Sequence, residues 1–365
     1  MKEITKNKII TILFCFLIGV FLWFNIIVKD KEISVSERRK LTKISSVTFE
    51  KILNGNLSNQ FEEYAMDQFI FRDFFRTSKS HVQLDLLRQK DNNGLLVEDG
   101  YIYKVEYPLN EKSILNASNK INYICEKYFN ENNNIYYSVI PDKNYFLDDK
   151  YLKIDYEKLE EIMKNNLNDK KYINLFPLLE MEDYYKTDTH WKQENLVKVA
   201  NKIAEEMNIQ ERIKTPFVQK TKGQFYGVYY GQLGRKIEAD NIKVLTNNII
   251  EESTTYNYEN KKISKIYDEE KWNDSLDKYD YYLSGATSLI EIRNPNAKTD
   301  KELIVFRDSF GSSIIPLLTE AYSKILVIDI RYISTDYLES YIQSENQDVL
   351  FLYSTLILNE SNILK

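Results

Sequence analysis

Residues 303–311 read LIVFRDSFG: four apolar residues, then Arg307-Asp308-Ser309, then Phe310-Gly311. A short run of branched and aromatic residues with no polar partner describes a strand covered on both faces. Ser312–Tyr322 follows as a predicted helix. Working outward, ILVIDI (325–330) and VLFLY (349–353) are strands of the same kind, with a helix predicted over 334–343 between them. Upstream, IYYSVI (135–140) ends at Pro141, and 172–175 is a short strand. Helices are predicted over 111–130, 156–167 and 195–207. Apolar strands alternating with helices predict an α/β fold, a parallel sheet covered on both faces. Residues 215–300 break that rhythm. Tyr- and Thr-rich runs such as 254–258 and 262–267 predict strands and long loops, read as an insertion or lid because the alternation resumes after them.

In open α/β sheets the functional crevice lies at the carboxyl ends of the strands. Ser309 stands at such an end, where strand turns into helix. The free N–H groups and positive end of that helix would favour a developing oxyanion. A serine there also serves as a helix N-cap, and the segment alone supports both readings. The second motif is YYKTDTHW at 184–191. An Asp two residues before a His can place its carboxylate on the imidazole Nδ1, fixing the tautomer and stabilising the imidazolium. His190 could then act as general base for a distant serine. Taken alone, a histidine in such a motif is more often structural. The chain has two histidines, and His81, on the helix predicted within 61–90, reads as a surface or capping residue. Arg307, Trp191 and Tyr185, which flank the two motifs, are candidate oxyanion or substrate contacts.

Composition narrows the classes. Hydrophobic residues at 43% and charged residues at 28% describe a globular chain. The net charge of −6 is uneven, because residues 1–31 carry +3 and leave −9 for the rest. An acidic body argues against a nucleic-acid partner, which needs a basic face. Cys15 lies in the apolar N-terminal segment and Cys125 in the body, so no disulfide framework is expected. With no CxxC or HExxH spacing, neither a metal nor another cofactor is expected. The 28 tyrosines and 18 phenylalanines read as core and amphipathic surface, with a sugar-binding cleft as the alternative.

Residues 9–28, IITILFCFLIGVFLWFNIIV, hold Thr11 and Asn25 as their clearly polar side chains. As a helix they span roughly 30 Å, the thickness of a hydrocarbon core. Lys2, Lys6 and Lys8 precede them and favour a cytoplasmic N-terminus. No small-residue cleavage pattern follows, which favours an uncleaved anchor over a signal peptide. The expected organisation is an anchor with its cytoplasmic tip over 1–31, a stalk over 32–60, and a body over 61–365 carrying the insertion at about 215–300.

DTHW at 188–191 and RDSF at 307–310, in that order, resemble the DHHW protein family. That family is similar to the alginate O-acetyltransferases, circularly rearranged relatives of the SGNH hydrolases. DQFIFRD (67–73), IPDKNYF (140–146), YDYYLSG (279–285) and VIDIRY (327–332) agree with the resemblance. It implies an SGNH hydrolase-like three-layer α/β/α sandwich, which would follow the transmembrane helix read from residues 9–28. It implies Ser309 as nucleophile, His190 as general base and Asp188 as its orienter. The implied activity is acetyl transfer to a cell-surface polysaccharide outside the cell membrane, with acetyl supplied by a multi-spanning membrane acyltransferase. Two departures stand out. Thr189 replaces the second residue of the DHHW tetrad, as in the alginate-type relatives, and Arg307 replaces the glycine of the SGNH GDS triplet. Two other outcomes stay open: a carbohydrate acetylesterase using the same triad, and a non-catalytic glycan-binding or scaffold protein of the envelope.

Overall fold

The computed structural model describes residues 3–44, 48–343 and 345–365. Lys2, counted among the flanking cations, and residues 45–47 of the expected stalk lie outside them. The chain divides into two units, residues 1–93 with 230–236, and residues 94–229 with 237–365.

The second unit is built on eight strands. In chain order they are β1 (Asn134–Ile140), β2 (Lys171–Asn174), β3 (Thr254–Asn257), β4 (Lys262–Lys265), β5 (Leu289–Arg293), β6 (Glu302–Arg307), β7 (Lys324–Ile328) and β8 (Asp348–Ser354). Across the sheet they run β4-β3-β5-β7-β6-β8-β1-β2. The five strands from β7 to β2 are mutually parallel, as the uninterrupted apolar runs require. The other three are antiparallel and come from the 215–300 segment, which therefore widens the sheet. Val218–Phe225 and Asp240–Thr246, from the same segment, pair as a separate antiparallel ribbon.

Side chains alternate across a strand, so each buried strand feeds two cores. Leu303 and Val305 of β6 enter one cluster, with Val199, Ala200, Ile203 and Ala204 of a helix over Val197–Glu206. Ile304 and Phe306 enter the other, with Ile114, Ala117, Ile121 and Ile124 of the helix Glu111–Tyr128 and Leu159 and Met163 of the helix Tyr156–Asn166. The result is an α/β/α sandwich with its cores on both faces of the sheet. The predicted helix after Ser309 breaks into a single α turn, Gly311–Ile314, and a 3-10 stretch, Ile315–Ala321. Pro316 is the cause, since it cannot donate in an α ladder.

The first unit contains the helix Glu3–Ile27. Its stretch Thr5–Ile27 is long and apolar enough to cross a membrane, and none of its most apolar window is buried. That fits a single-pass anchor or a signal sequence alike. Helices Asn56–Asp67 and Arg72–His81 follow.

Candidate active site

Ser309 follows β6 directly and is held there by its neighbours. Asp308, fully buried, accepts the Phe310 N–H at 2.9 Å and the Ser354 N–H at 2.7 Å, which ties the turn to the end of β8. At Gly311 an added Cβ would stand 2.7 Å from Arg307 Cβ, so the tight return of the chain needs glycine. The N-cap of the following helical turn is Phe310, with no side-chain capping bond. The Ser309 hydroxyl is directed elsewhere, and the capping reading of Ser309 is not realised.

Its partner is His190. The loop Tyr184–Trp191 closes through a bridge between those two residues, and Tyr185 N–H donates to the His190 carbonyl at 3.1 Å. His190 is thereby turned toward Ser309, with Nε2 2.7 Å from Ser309 Oγ. On the other side of the ring, Nδ1 lies 2.5 Å from Asp188 Oδ1. Asp188 is fully buried; Oδ1 also accepts the His190 N–H at 3.1 Å, and Oδ2 accepts the Val228 N–H at 2.9 Å. Gly227 allows that close approach, because a Cβ there would fall 2.3 Å from Asp188 Cα. His190 and Ser309, 119 positions apart in the chain, thus form one hydrogen-bonded line with Asp188. Such a line can move a proton from a hydroxyl onto an imidazole whose second nitrogen is held by a carboxylate.

The flanking candidates are placed differently. Trp191, Arg307 and Tyr185 are all fully buried. The Trp191 indole N–H donates to the Phe310 carbonyl at 3.0 Å and to Ser313 Oγ at 2.9 Å, which cross-ties the histidine loop to the serine loop. Arg307 donates to the carbonyls of Gly285 (3.2 Å) and Asp308 (3.3 Å), and lies 3.5 Å from Asp329. Tyr185 packs edge-on against Phe225, with ring centroids 4.9 Å apart. All three belong to the framework behind the site, and the structure does not bring them to its surface. His81 is exposed in the first unit and pairs with Asp85 at 2.7 Å.

Two features were not read from the sequence. Tyr279 lies flat against His190, with ring centroids 3.8 Å apart and planes 7° apart. Its hydroxyl donates toward Ser313 Oγ at 2.8 Å, so it joins the same cross-tie as Trp191. Phe310 packs against the imidazole as well, at 4.9 Å. The second feature is the turn after β1. Lys143 is buried, with Nζ 3.0 Å from the Tyr185 carbonyl and 5.1 Å from the Tyr229 ring centre. Burial pulls its ammonium down to about 7, and the field of Asp188 and Asp240 opposes the shift. Asp142 beside it is pushed up to about 6, also by burial, although the hydroxyls of Thr355 and Tyr156 and the Asn144 N–H stabilise its charge. The available signal was PDKN, polar residues directly after an apolar strand.

Residues 159–328 match the family model of the DHHW protein. Among solved structures, a DHHW family protein from Eubacterium siraeum is similar with a TM-score of 0.59 and 20% identity, covering 75% of this chain and 94% of that one. PatB1 of Bacillus cereus gives 0.58 and 20%, over 73% of this chain and 97% of its own. A second PatB1 structure, with a sulfonyl adduct, gives 0.56 and 19%, over 72% and 95%. At these identities the likeness is one of fold. No curated protein matches the chain by sequence. Residues 159–328, the stretch that contains Asp188, His190 and Ser309, are similar to the DHHW protein family.

Proposed function

We propose that the protein is an extracytoplasmic O-acetyltransferase that acylates hydroxyl groups of a cell-surface polysaccharide through Ser309, His190 and Asp188. The observation that carries this reading is the 2.7 Å approach of His190 Nε2 to Ser309 Oγ, with Asp188 2.5 Å from the opposite ring nitrogen. The likeness to the DHHW family, which is similar to the alginate O-acetyltransferases, supports acetyl as the group and a glycan as the acceptor.

In the first half-reaction His190 takes the Ser309 proton while Oγ bonds to the acyl carbon of the donor. The tetrahedral oxyanion meets the Ser309 backbone N–H and a further donor. The donor's leaving group departs with the proton from His190. In the second half a sugar hydroxyl loses its proton to His190 and attacks the acyl-serine. The new ester leaves, and Ser309 regains its proton. Asp188 keeps the imidazole in the required tautomer throughout.

We assign residues 1–31 to the anchor and its cytoplasmic tip, 32–60 to a stalk, and 61–365 to the exported catalytic region. The acetyl donor in this reading is a multi-spanning acyltransferase in the same membrane. The test is incubation of the detergent-solubilised full chain with an acetyl ester and an oligosaccharide acceptor. Mass spectrometry then compares acetylated oligosaccharide with free acetate. The expected result is acceptor acetylation that Ser309→Ala lowers by several powers of ten, as for comparable triads. Free acetate alone would make the enzyme an esterase. A Ser309→Ala rate equal to wild type would overturn the assignment, and failure of a sulfonyl fluoride to label the wild-type chain at Ser309 would support a non-catalytic role.

A further inference from the structure

The first unit presents aromatic side chains to solvent in a pattern that its own packing leaves unexplained. Phe61, Met66, Phe71 and Phe74 are 57–66% exposed. In and beside the helix Arg72–His81, Phe71, Phe74, Phe75, Ser78 and Val82 recur at helical spacing along one face, whereas Arg72, Arg76 and Lys79 recur along another. A strong apolar stripe with a cationic stripe beside it suits a helix lying in a membrane interface.

The position of this segment gives the same answer independently. Phe69 and Phe75 pack on Phe21 of the apolar helix, with ring centroids 5.7 and 6.1 Å apart. The Ile70 N–H donates to Asn25 Oδ1 at 2.9 Å, and Asn25 Nδ2 donates to the Phe21 carbonyl at 2.7 Å. The loop Phe69–Phe71 therefore satisfies Asn25, the polar residue in the outer part of the apolar stretch. Farther out, Gln68 exchanges hydrogen bonds with the backbone of Lys31 (2.9 and 3.0 Å), and the Tyr64 hydroxyl donates to Asp30 at 2.9 Å. At 1.5 Å per residue, Phe21 lies about 9 Å inside the end of the helix at Ile27. If the helix spans a bilayer, its contacts fix Phe69 and Phe75 at the depth an interfacial helix reaches, about 5–10 Å below the headgroup boundary.

We infer that residues 61–82 form a second membrane contact, an amphipathic segment lying in the outer leaflet's interface with Phe61, Met66, Phe71 and Phe74 among the lipids. The inference rests on the anchor reading of the helix Glu3–Ile27. Its surface is continuous with the span. Arg72 and Arg76 share Glu37 within the unit, which fixes the stripe's orientation.

The full chain, reconstituted in phosphatidylglycerol–phosphatidylcholine bilayers, provides the test. The chain has three tryptophans, so each reporter is read as the difference from Trp23→Phe, which keeps Trp191 and Trp272 as a common background. Wild type minus that background reports whether the span is inserted, and Phe71→Trp and Phe74→Trp in the same background report the aromatic face. Lipids brominated high on their acyl chains should quench the reporters at 71 and 74 as strongly as they quench Trp23. The inference is overturned if Trp23 is quenched and positions 71 and 74 are not. In that case the aromatic face meets water or another protein. If Trp23 itself escapes quenching, the anchor reading fails and takes this inference with it.

Discussion

Tyr279 acts on His190 through the face of its ring, in a way no hydrogen bond could replace. Stacking at 3.8 Å leaves the imidazole free to exchange protons at both nitrogens while restricting its tilt. The hydroxyl, fixed on Ser313, stops the tyrosine from sliding. Tyr279→Leu should therefore lower kcat about tenfold, some 1.4 kcal/mol of barrier, with KM little changed. Tyr279→Phe keeps the stack and loses the Ser313 bond, and should fall between that variant and wild type. Steady-state turnover of an acetyl ester measures both, and an unchanged rate for Tyr279→Leu would show that the stack does not position His190. At this scale legibility followed scarcity. A chain with two histidines leaves few choices for a base, and a serine at a strand end is conspicuous, so Asp188, His190 and Ser309 could be read as a set. Tyr279 opens the YDYYLSG run that agrees with the resemblance, but among 28 tyrosines nothing in that run places its ring against His190. Arg307, Trp191 and Tyr185 were named by adjacency to the motifs, but adjacency in chain does not decide which way a side chain turns. In a loop closed by a two-residue bridge, the neighbours of His190 point inward.

At the scale of elements, the end of β6 is kept in place by a carboxylate and not by a long helix. Asp308 receives one N–H from the serine turn and one from the end of β8, each on its own oxygen. An amide has one accepting oxygen, so Asp308→Asn leaves one buried N–H facing an NH₂ group. The expected cost is about 1–3 kcal/mol of stability, with reduced turnover because the Ser309 turn loosens. Chemical denaturation beside the acetyl-ester assay measures both effects, and unchanged values in both would assign the turn's rigidity to Gly311 and Trp191 instead. The helix expected to support Ser309 was overestimated, since Pro316 limits α geometry to Gly311–Ile314 and a four-residue turn carries little dipole. The parallel strands were legible because burial on both faces makes them apolar throughout. β3 (TTYN) and β4 (KISK) were legible as strands, but they lack the apolar run that would join them to the parallel sheet, because strands near a sheet edge can keep polar residues. Their segment therefore looked like an insertion, although it adds three strands to the sheet.

Across the molecule, ionisable groups sort by depth. Many of the described lysines pair with carboxylates, mostly near the surface, where such pairs contribute little. Lys143 differs, buried behind the triad loop with carbonyl and aromatic partners in place of a direct carboxylate contact. Its folded-state value of about 7 lies below the ordinary lysine value of 10.5. Between those limits the unfolded chain binds a proton that the folded chain lacks, so this residue makes stability rise with pH across that window. Below about 7 both states are protonated, and the full cost of burying the cation is present. Lys143→Met fills the same space without a charge. It should be more stable than wild type near pH 7, by on the order of a few kcal/mol at most. The advantage should shrink steadily toward pH 10 as the wild-type ammonium is released. Thermal melting of the full chain in detergent across that range checks the claim, because the difference between the two proteins cancels the titration of every shared group. A difference that stays constant with pH would mean that Lys143 remains charged in the fold. The carbonyls of Tyr185 and Lys186, with the Tyr103 and Tyr229 rings, would then be sufficient to hold a cation beside the triad.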